Sequence, residues 1–312
     1  MRKILTVGAC VYDTGVFVEK MPKGNEDIMP LKKTERISGF GYCTAGVFSL
    51  LNLPYDLCAP VGSGVYGEAV RRQLKEDGIP FIDDSETAGC TYTIIDGTGR
   101  AVSLTAEGGE YRFRKEYIPA DLNDYAWMLI SGNEMHGPGR DELSDCISSF
   151  HGNLLFRPGE RGALLDLFTL DGIYQNHPVL HLNRNEALTI ARTQNHNLEQ
   201  VAHQLHKETG NAVIICLEDG TVLYHDGSET IATEPFGKKV IDESGMYDSH
   251  AAAFAAGRLC GLRPKQALSF AKEYASAVSR CETAVLPAAQ RDVFRKKLAA
   301  EILDSGQDKK IR

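Results

Sequence analysis

The stretch VIDESGMYDSHAAAFAAGRLCG, residues 240–261, decides how the rest of the chain is read. Val240 and Ile241 read as an apolar strand end leading to Asp242, and Ser244, Gly245, Met246 and Tyr247 as a short turn. Asp248 then stands at the mouth of a helix built from Ala251, Ala252, Ala253, Phe254, Ala255 and Ala256. A helix mouth turns unpaired backbone N–H groups outward and carries partial positive charge, so it can hold an anion. A carboxylate beside that anion could take a proton from an attacking hydroxyl. These are the parts that a phosphoryl transfer needs. The same residues also make an ordinary N-cap with an ordinary turn glycine, so the rest of the chain must weigh in.

The 312 residues are 43% hydrophobic, enough for the core of one large domain or two small ones. The net charge of −8, with no Lys/Arg cluster interleaved with aromatics, argues against a nucleic-acid partner. Eight cysteines are scattered without a C-x-x-C pair and read as reduced, mostly buried residues of a cytoplasmic protein. The opening MRKILTVGAC reads as a first core strand rather than a signal peptide, and no run approaches the length of a membrane span.

Outward from the deciding stretch, residues 4–10 form a buried strand, with Asp13 just past its end. An extended segment follows, over residues 14–20. ISGFGYCTAG, residues 37–46, is a glycine-spaced loop opening a helix over 44–53. Residues 67–77 have helical periodicity with Ala69, Val70 and Leu74 on one side, stopped by Gly78. Residues 90–95 and 101–105 alternate around Asp96-Gly97, a hairpin signal. Strands at 127–131, 154–156, 179–182, 213–217 and 221–225 then alternate with helical stretches, and three helices near 249–260, 264–282 and 288–304 close the chain. This alternation implies a mainly parallel sheet covered on both faces, with ligands beyond the carboxyl ends of its strands. Asp13, the 39–46 loop, Asn183 and Asp248 could converge there. The 14–36 segment and the 90–105 hairpin fit the repeat poorly and could form a small accessory sheet over the site.

Gly41 and Gly46 have P-loop spacing, but Val47 and Phe48 follow where that motif needs Lys and Ser/Thr, so the motif is rejected. Asn183 and Glu186, three apart at a helix start, make either a reciprocal cap or a pair that orients hydrated Mg²⁺. His196, Glu199, His203 and His206 lie off an apolar helix face without a further nearby ligand, and read as a solvated face rather than a metal site.

Taken together, the stretches GACVYDTGVFVEKMPKGNEDI, SGFGYCTAGVFSLL, VGSGVYGEAVRRQLKEDGI, HLNRNEA and DESGMYDSHAAAF resemble the ribokinase-like (PfkB) carbohydrate kinases over nearly the whole chain. The resemblance implies one three-layer α/β/α domain over residues 1–312, with a mainly parallel central sheet and a small β-sheet lid from about 14–36 and 90–105. It implies transfer of the ATP γ-phosphate to a hydroxyl of a sugar or nucleoside-like substrate. Asp248 would be the catalytic base, and Asp13, Gly39, Gly41 and Thr44 would bind substrate. Gly245, Met246 and Tyr247 would form the anion hole, with Gly220 and Asn183 on the nucleotide side. Asn183 and Glu186, the latter through water, would hold Mg²⁺. Some relatives also use a monovalent cation, and several dimerise through the lid.

The departures fall mainly on the nucleotide side. G-A-G-D has become Gly245-Met246-Tyr247-Asp248, which would strain Tyr247 if that position needs φ > 0. The nucleotide loop, Cys216 to Gly220, is short and carries Glu218 and Asp219, whose charge would repel phosphates unless turned away. RCETAVLP, residues 280–287, lacks a glycine usual near the adenine and monovalent-cation sites. Phe40 replaces a glycine, Thr44 an asparagine, and the charge of the third signature strand is absent, since Phe156 ends it; Arg161 takes a family arginine position. An active kinase is the first reading. The alternative is a catalytically impaired sugar-binding or sensing protein on a kinase fold.

Overall fold

The computed structural model describes residues 2–98, 100–236, 243 and 245–307. The expected strand end Val240-Ile241, Asp242 and Ser244 lie outside the described residues. The first apolar run forms β1 (Lys3–Val7), after which the chain leaves the main sheet. β2 (Val11–Phe17) and β3 (Lys32–Ser38) pair antiparallel in a second sheet. α1 (Phe40–Leu51) returns the chain to β4 (Tyr55–Cys58), beside β1. β5 (Pro60–Ser63), α2 (Gly64–Glu76) and β6 (Ile82–Thr87) follow, with β5 and β6 paired to each other. β7 (Cys90–Ile95) and β8 (Ala101–Ala106) complete the second sheet, in the order β3-β2-β7-β8.

The regular alternation then begins. β9 (Tyr125–Ser131), α3 (Arg140–Ser148), β10 (Asn153–Arg157), α4 (Gly159–Gly162) and α5 (Leu167–Tyr174) lead to β11 (Val179–Asn183). α6 (Arg184–Ile190) and α7 (Leu198–Thr209) precede β12 (Val213–Cys216), β13 (Val222–His225) and β14 (Thr230–Ala232). α8 (Met246–Leu259), α9 (Pro264–Val278) and α10 (Arg291–Gln307) end the described chain. The main sheet has eight strands in the order β14-β13-β12-β11-β10-β9-β1-β4, parallel from β12 to β4 and antiparallel at β13 and β14.

Side chains alternate across a strand, and the core divides accordingly. Ile4, Leu129, Leu155 and Ile214 face one apolar cluster together with Phe48, Phe254 and Tyr274. Their neighbours Leu5, Met128, Leu154 and Val213 face the other, with Leu143, Ile173 and Leu205. Parallel strands buried on both faces explain the unbroken apolar runs WMLI and VIIC. The result is a helix–sheet–helix sandwich whose parallel strands all end at one edge, where the site lies.

Two boundaries differ from the expected ones. α1 begins at Phe40, not Thr44, because Gly39 turns the chain at φ 93° and Gly41 N–H donates to Ala9 O at 2.9 Å. A Cβ on Gly41 would stand 2.1 Å from Gly8 O, so only glycine lets the loop lie on the end of β1. Asp13 lies inside β2, in the second sheet, rather than at the tip of β1, since the chain has already crossed over by Val11.

Candidate functional site

Four connections of the main sheet meet around a cavity of about 110 Å³. Ala9 follows β1, Asn133 and Glu134 follow β9, Arg157 ends β10, and Gly39 and Phe40 open α1. Asp248, in the first turn of α8, supplies the remaining wall. A larger groove of about 550 Å³ opens between α3 and α5, not at the strand ends.

Asp248 does not stand alone. Arg157 Nε donates to its Oδ1, while Arg157 Nη1 reaches both oxygens of Glu186, at 3.2 and 3.1 Å. The guanidinium is largely buried, and so is Glu186. Burial alone disfavours the guanidinium's charge, but Glu186 and Asp248 outweigh it and keep Arg157 ionised. Burial raises the Glu186 carboxyl above its ordinary range, and Arg157 offsets part of that rise. Oδ2 of Asp248 has no protein partner among the described residues.

Arg157 corrects an expectation. The third signature strand runs one residue past Phe156, and its last residue carries the charge that had been read as absent. The strand's apolar pattern hid it, since a charged residue closing an apolar run reads as an ordinary solvated end.

Glu134 is a second residue that the sequence did not reveal. Its Oε1 accepts from Ala9 N–H at 2.7 Å, and its buried Oε2 has no partner among the described residues. A buried acceptor left bare is costly unless a ligand or water meets it. Beside it, Asn133 Oδ1 accepts from Arg161 N–H at 3.0 Å, and the Arg161 guanidinium lies over the Tyr111 ring, 4.6 Å from its centroid.

The expected substrate residues divide. Gly39 lines the cavity. Gly41 backs onto Gly8 instead. Thr44 is fully buried and bonds Thr6 Oγ1 at 2.6 Å and Phe40 O at 2.7 Å, so it braces α1 on β1 and does not reach the cavity. Asp13 is buried in the second sheet, where Arg36 Nε donates to Oδ2 at 3.0 Å and Thr93 Oγ1 to Oδ1 at 3.3 Å. Burial and Asp248 push the buried Cys43 thiol up, while Arg36 and Arg157 pull it down.

On the nucleotide side, Gly245 is the residue with positive φ, at 69°, and Tyr247 sits inside the helix with ordinary dihedrals. The anticipated strain at Tyr247 is therefore absent. A Cβ on Gly245 would come 2.1 Å from Ala284 O, which is how the 280–287 segment is seated against the helix start. Met246 N–H donates to Glu243 O at 3.1 Å, leaving Tyr247 and Asp248 to offer the first-turn amides. The Tyr247 ring packs under the Arg157 guanidinium at 5.7 Å. The loop carboxylates are turned away: Asp219 accepts from Thr221 N–H at 2.8 Å, and Glu218 pairs with Arg184 at 3.6 Å. Gly220, at φ 83°, lies against the Phe236 ring.

Asn183 and Glu186 form the reciprocal cap of α6 in full. Asn183 Nδ2 donates to Glu186 Oε1 at 3.0 Å and Asn183 N–H donates to Glu186 Oε2 at 2.8 Å, and Arg157 Nη1 donates to both oxygens as well. Asn183 Oδ1 is occupied by Glu186 N–H at 2.8 Å. Mg²⁺ held by these two residues does not fit a donor set so fully used, and the guanidinium already supplies the positive charge.

Comparison with known proteins agrees with the geometry. Residues 1–291 match the pfkB family carbohydrate kinase. An uncharacterised sugar kinase of Escherichia coli (strain K12), YegV, is 22% identical over 267 residues, covering 84% of this chain and 83% of that one. Ribokinase from Thermotoga maritima superposes with TM-score 0.79 at 20% identity, covering 95% of this chain and 100% of that one. Arabidopsis thaliana ribokinase, solved with ribose and ATP, superposes with TM-score 0.76 at 17% identity, covering 95% and 98%. With nearly its whole length matched, the chain belongs to the pfkB family of carbohydrate kinases.

Proposed function

We propose that this protein transfers the γ-phosphate of ATP to a hydroxyl of a sugar or nucleoside-like polyol bound in the cavity beside Asp248. One observation carries the reading. A carboxylate in the first turn of a helix has one oxygen held by Arg157 and the other free, on the wall of a polar cavity at the strand ends. Asp248 Oδ2 accepts the proton of the attacking hydroxyl. The first-turn amides of Tyr247 and Asp248 face the charge that develops on the transferred group. Glu134 Oε2 accepts from a substrate hydroxyl and sets its orientation. The small sheet acts as a lid, with Asp13 on the strand nearest the cavity, and its closure excludes water that would compete as acceptor. ATP lies over Gly220 and the 280–287 segment. No step is assigned to Mg²⁺, nor to a monovalent cation.

A second reading, a sugar-binding protein with little catalysis, has its own support. The crevice beside Gly220 has a volume of only about 10 Å³, closed by Phe236, and Arg157 already occupies both carboxylates.

Sugar-dependent release of ADP across a panel of sugars and nucleosides separates the two. Asp248→Asn lowers kcat by about 10²–10⁴-fold, the usual worth of a general base, while sugar affinity stays nearly constant. Unchanged turnover in Asp248→Asn rejects the base. Sugar-induced thermal stabilisation without ADP release selects the second reading.

A further inference from the structure

Three buried side chains behind the cavity are unused by the proposed reaction. His181 on β11 and Cys216 at the end of β12 stand on adjacent parallel strands, in a register that pairs His181 with Ile214 and Asn183 with Cys216. His250 reaches them from α8, two residues past Asp248. All three are less than one-tenth exposed. His181 Nε2 lies 2.8 Å from His250 Nδ1, and Cys216 Sγ lies 3.6 and 3.8 Å from those two nitrogens.

We infer that His181, Cys216 and His250 form a binding site for a single borderline-soft transition-metal cation of the Zn²⁺ class. The inference does not depend on the kinase reading. Tetrahedral ligands at ordinary Zn–N and Zn–S lengths stand about 3.3 Å apart for N and N and about 3.6 Å for N and S. The two sulfur edges already match, and the nitrogen edge must open by about 0.5 Å. The donor chemistry is selective, because one thiolate and two imidazoles suit Zn²⁺, Co²⁺ or Cu⁺ and not Mg²⁺ or Ca²⁺. The Cys216 thiol must give up its proton to bind, so uptake of the cation releases that proton.

Room for a fourth ligand is present. The crevice of about 10 Å³ touches both Cys216 and His250 and has about the size of one water. The far nitrogens, His181 Nδ1 and His250 Nε2, have no acceptor among the described residues. One inner nitrogen carries the N–H shared across the 2.8 Å contact, and binding moves that proton to the far nitrogen of the same ring. The missing acceptors set the affinity about 10–100-fold below that of a site with both rings supported.

Co²⁺ titration of the reduced, chelator-treated full chain tests the inference. One equivalent binds, with the intense visible bands of tetrahedral Co²⁺ and a near-ultraviolet thiolate-to-metal band, and one equivalent of Zn²⁺ removes both. Cys216→Ser abolishes the near-ultraviolet band and weakens binding at least tenfold, His250→Phe weakens it likewise, and Cys260→Ser changes neither. The exposed His203 and His225, 3.3 Å apart, are the rival site. Binding without the thiolate band, or a band that survives Cys216→Ser, assigns the metal elsewhere and overturns the inference. No stoichiometric uptake by the wild-type chain overturns it as well, whether or not either variant folds.

Discussion

At Arg157 two carboxylates share one guanidinium, and burial sets the energetics. Paired, the three groups carry a net charge of −1 in a largely water-free pocket. Remove the cation, and Asp248 and Glu186 face each other without compensation. Breaking a buried pair from one side costs about 3–5 kcal/mol, because the stranded charge keeps its desolvation penalty. Arg157→Met should lower the free energy of unfolding by about that amount in urea titration. Arg157→Lys should recover only part, because an ammonium cannot bridge two carboxylates with a rigid fork. A loss under about 1 kcal/mol in Arg157→Met would mean that the pair is hydrated in solution and contributes as a surface bridge does. At this scale the sequence was partly legible. Asp248 stood out because an acid at the mouth of an alanine helix has a local signature. Arg157 and Glu134 did not, since their meaning comes from partners 91 and 125 positions away in the chain. Thr44 was misplaced for a related reason. A threonine in the first turns of a helix can face the cleft or the core, and only the contact with Thr6 decides.

α8 shows how an element can look broken in sequence and be sound in structure. Its alanines let it lie close to both α9 and the sheet, and its first ten or so residues are almost entirely buried. The G-M-Y-D start seemed to demand a strained tyrosine. Gly245 instead takes the left-handed turn one step earlier, where Ala284 O leaves no room for a Cβ. Tyr247 is then an ordinary helical residue whose ring supports Arg157. The two accounts predict opposite signs. Tyr247→Gly would stabilise a strained backbone, whereas here it should destabilise the protein by at least about 1 kcal/mol through helix propensity and lost packing. Chemical denaturation of that single variant, at constant m-value, decides between them. Helices and apolar strands were legible from periodicity, yet their ends were not, because Gly39 and Gly245 act through close approaches to Ala9 and Ala284 that no local pattern encodes.

For the whole molecule, the main sheet was the easiest part to read, since strands buried on both faces must be apolar throughout. The second sheet was legible as a departure from that repeat. It leaves a different problem unsolved within one chain. β8 is an edge strand with every residue exposed, Val102 at 48% and Leu104 at 59%. Across the ladder Leu104 stands opposite Tyr92 and Val102 opposite Ile94, so an apolar stripe ends at an open row of backbone donors and acceptors. Single exposed apolar residues need no explanation, but a stripe along an unpaired edge invites a second strand. A second copy of this chain, meeting the first edge to edge along β8, would cover it. Sedimentation at micromolar concentration should therefore show a dimer. Val102→Glu combined with Leu104→Glu should shift it to monomer while leaving the main sheet, and hence the far-ultraviolet dichroism, unchanged. A wild-type chain that sediments as a monomer at every concentration would leave β8 protected by its own twist and shortness.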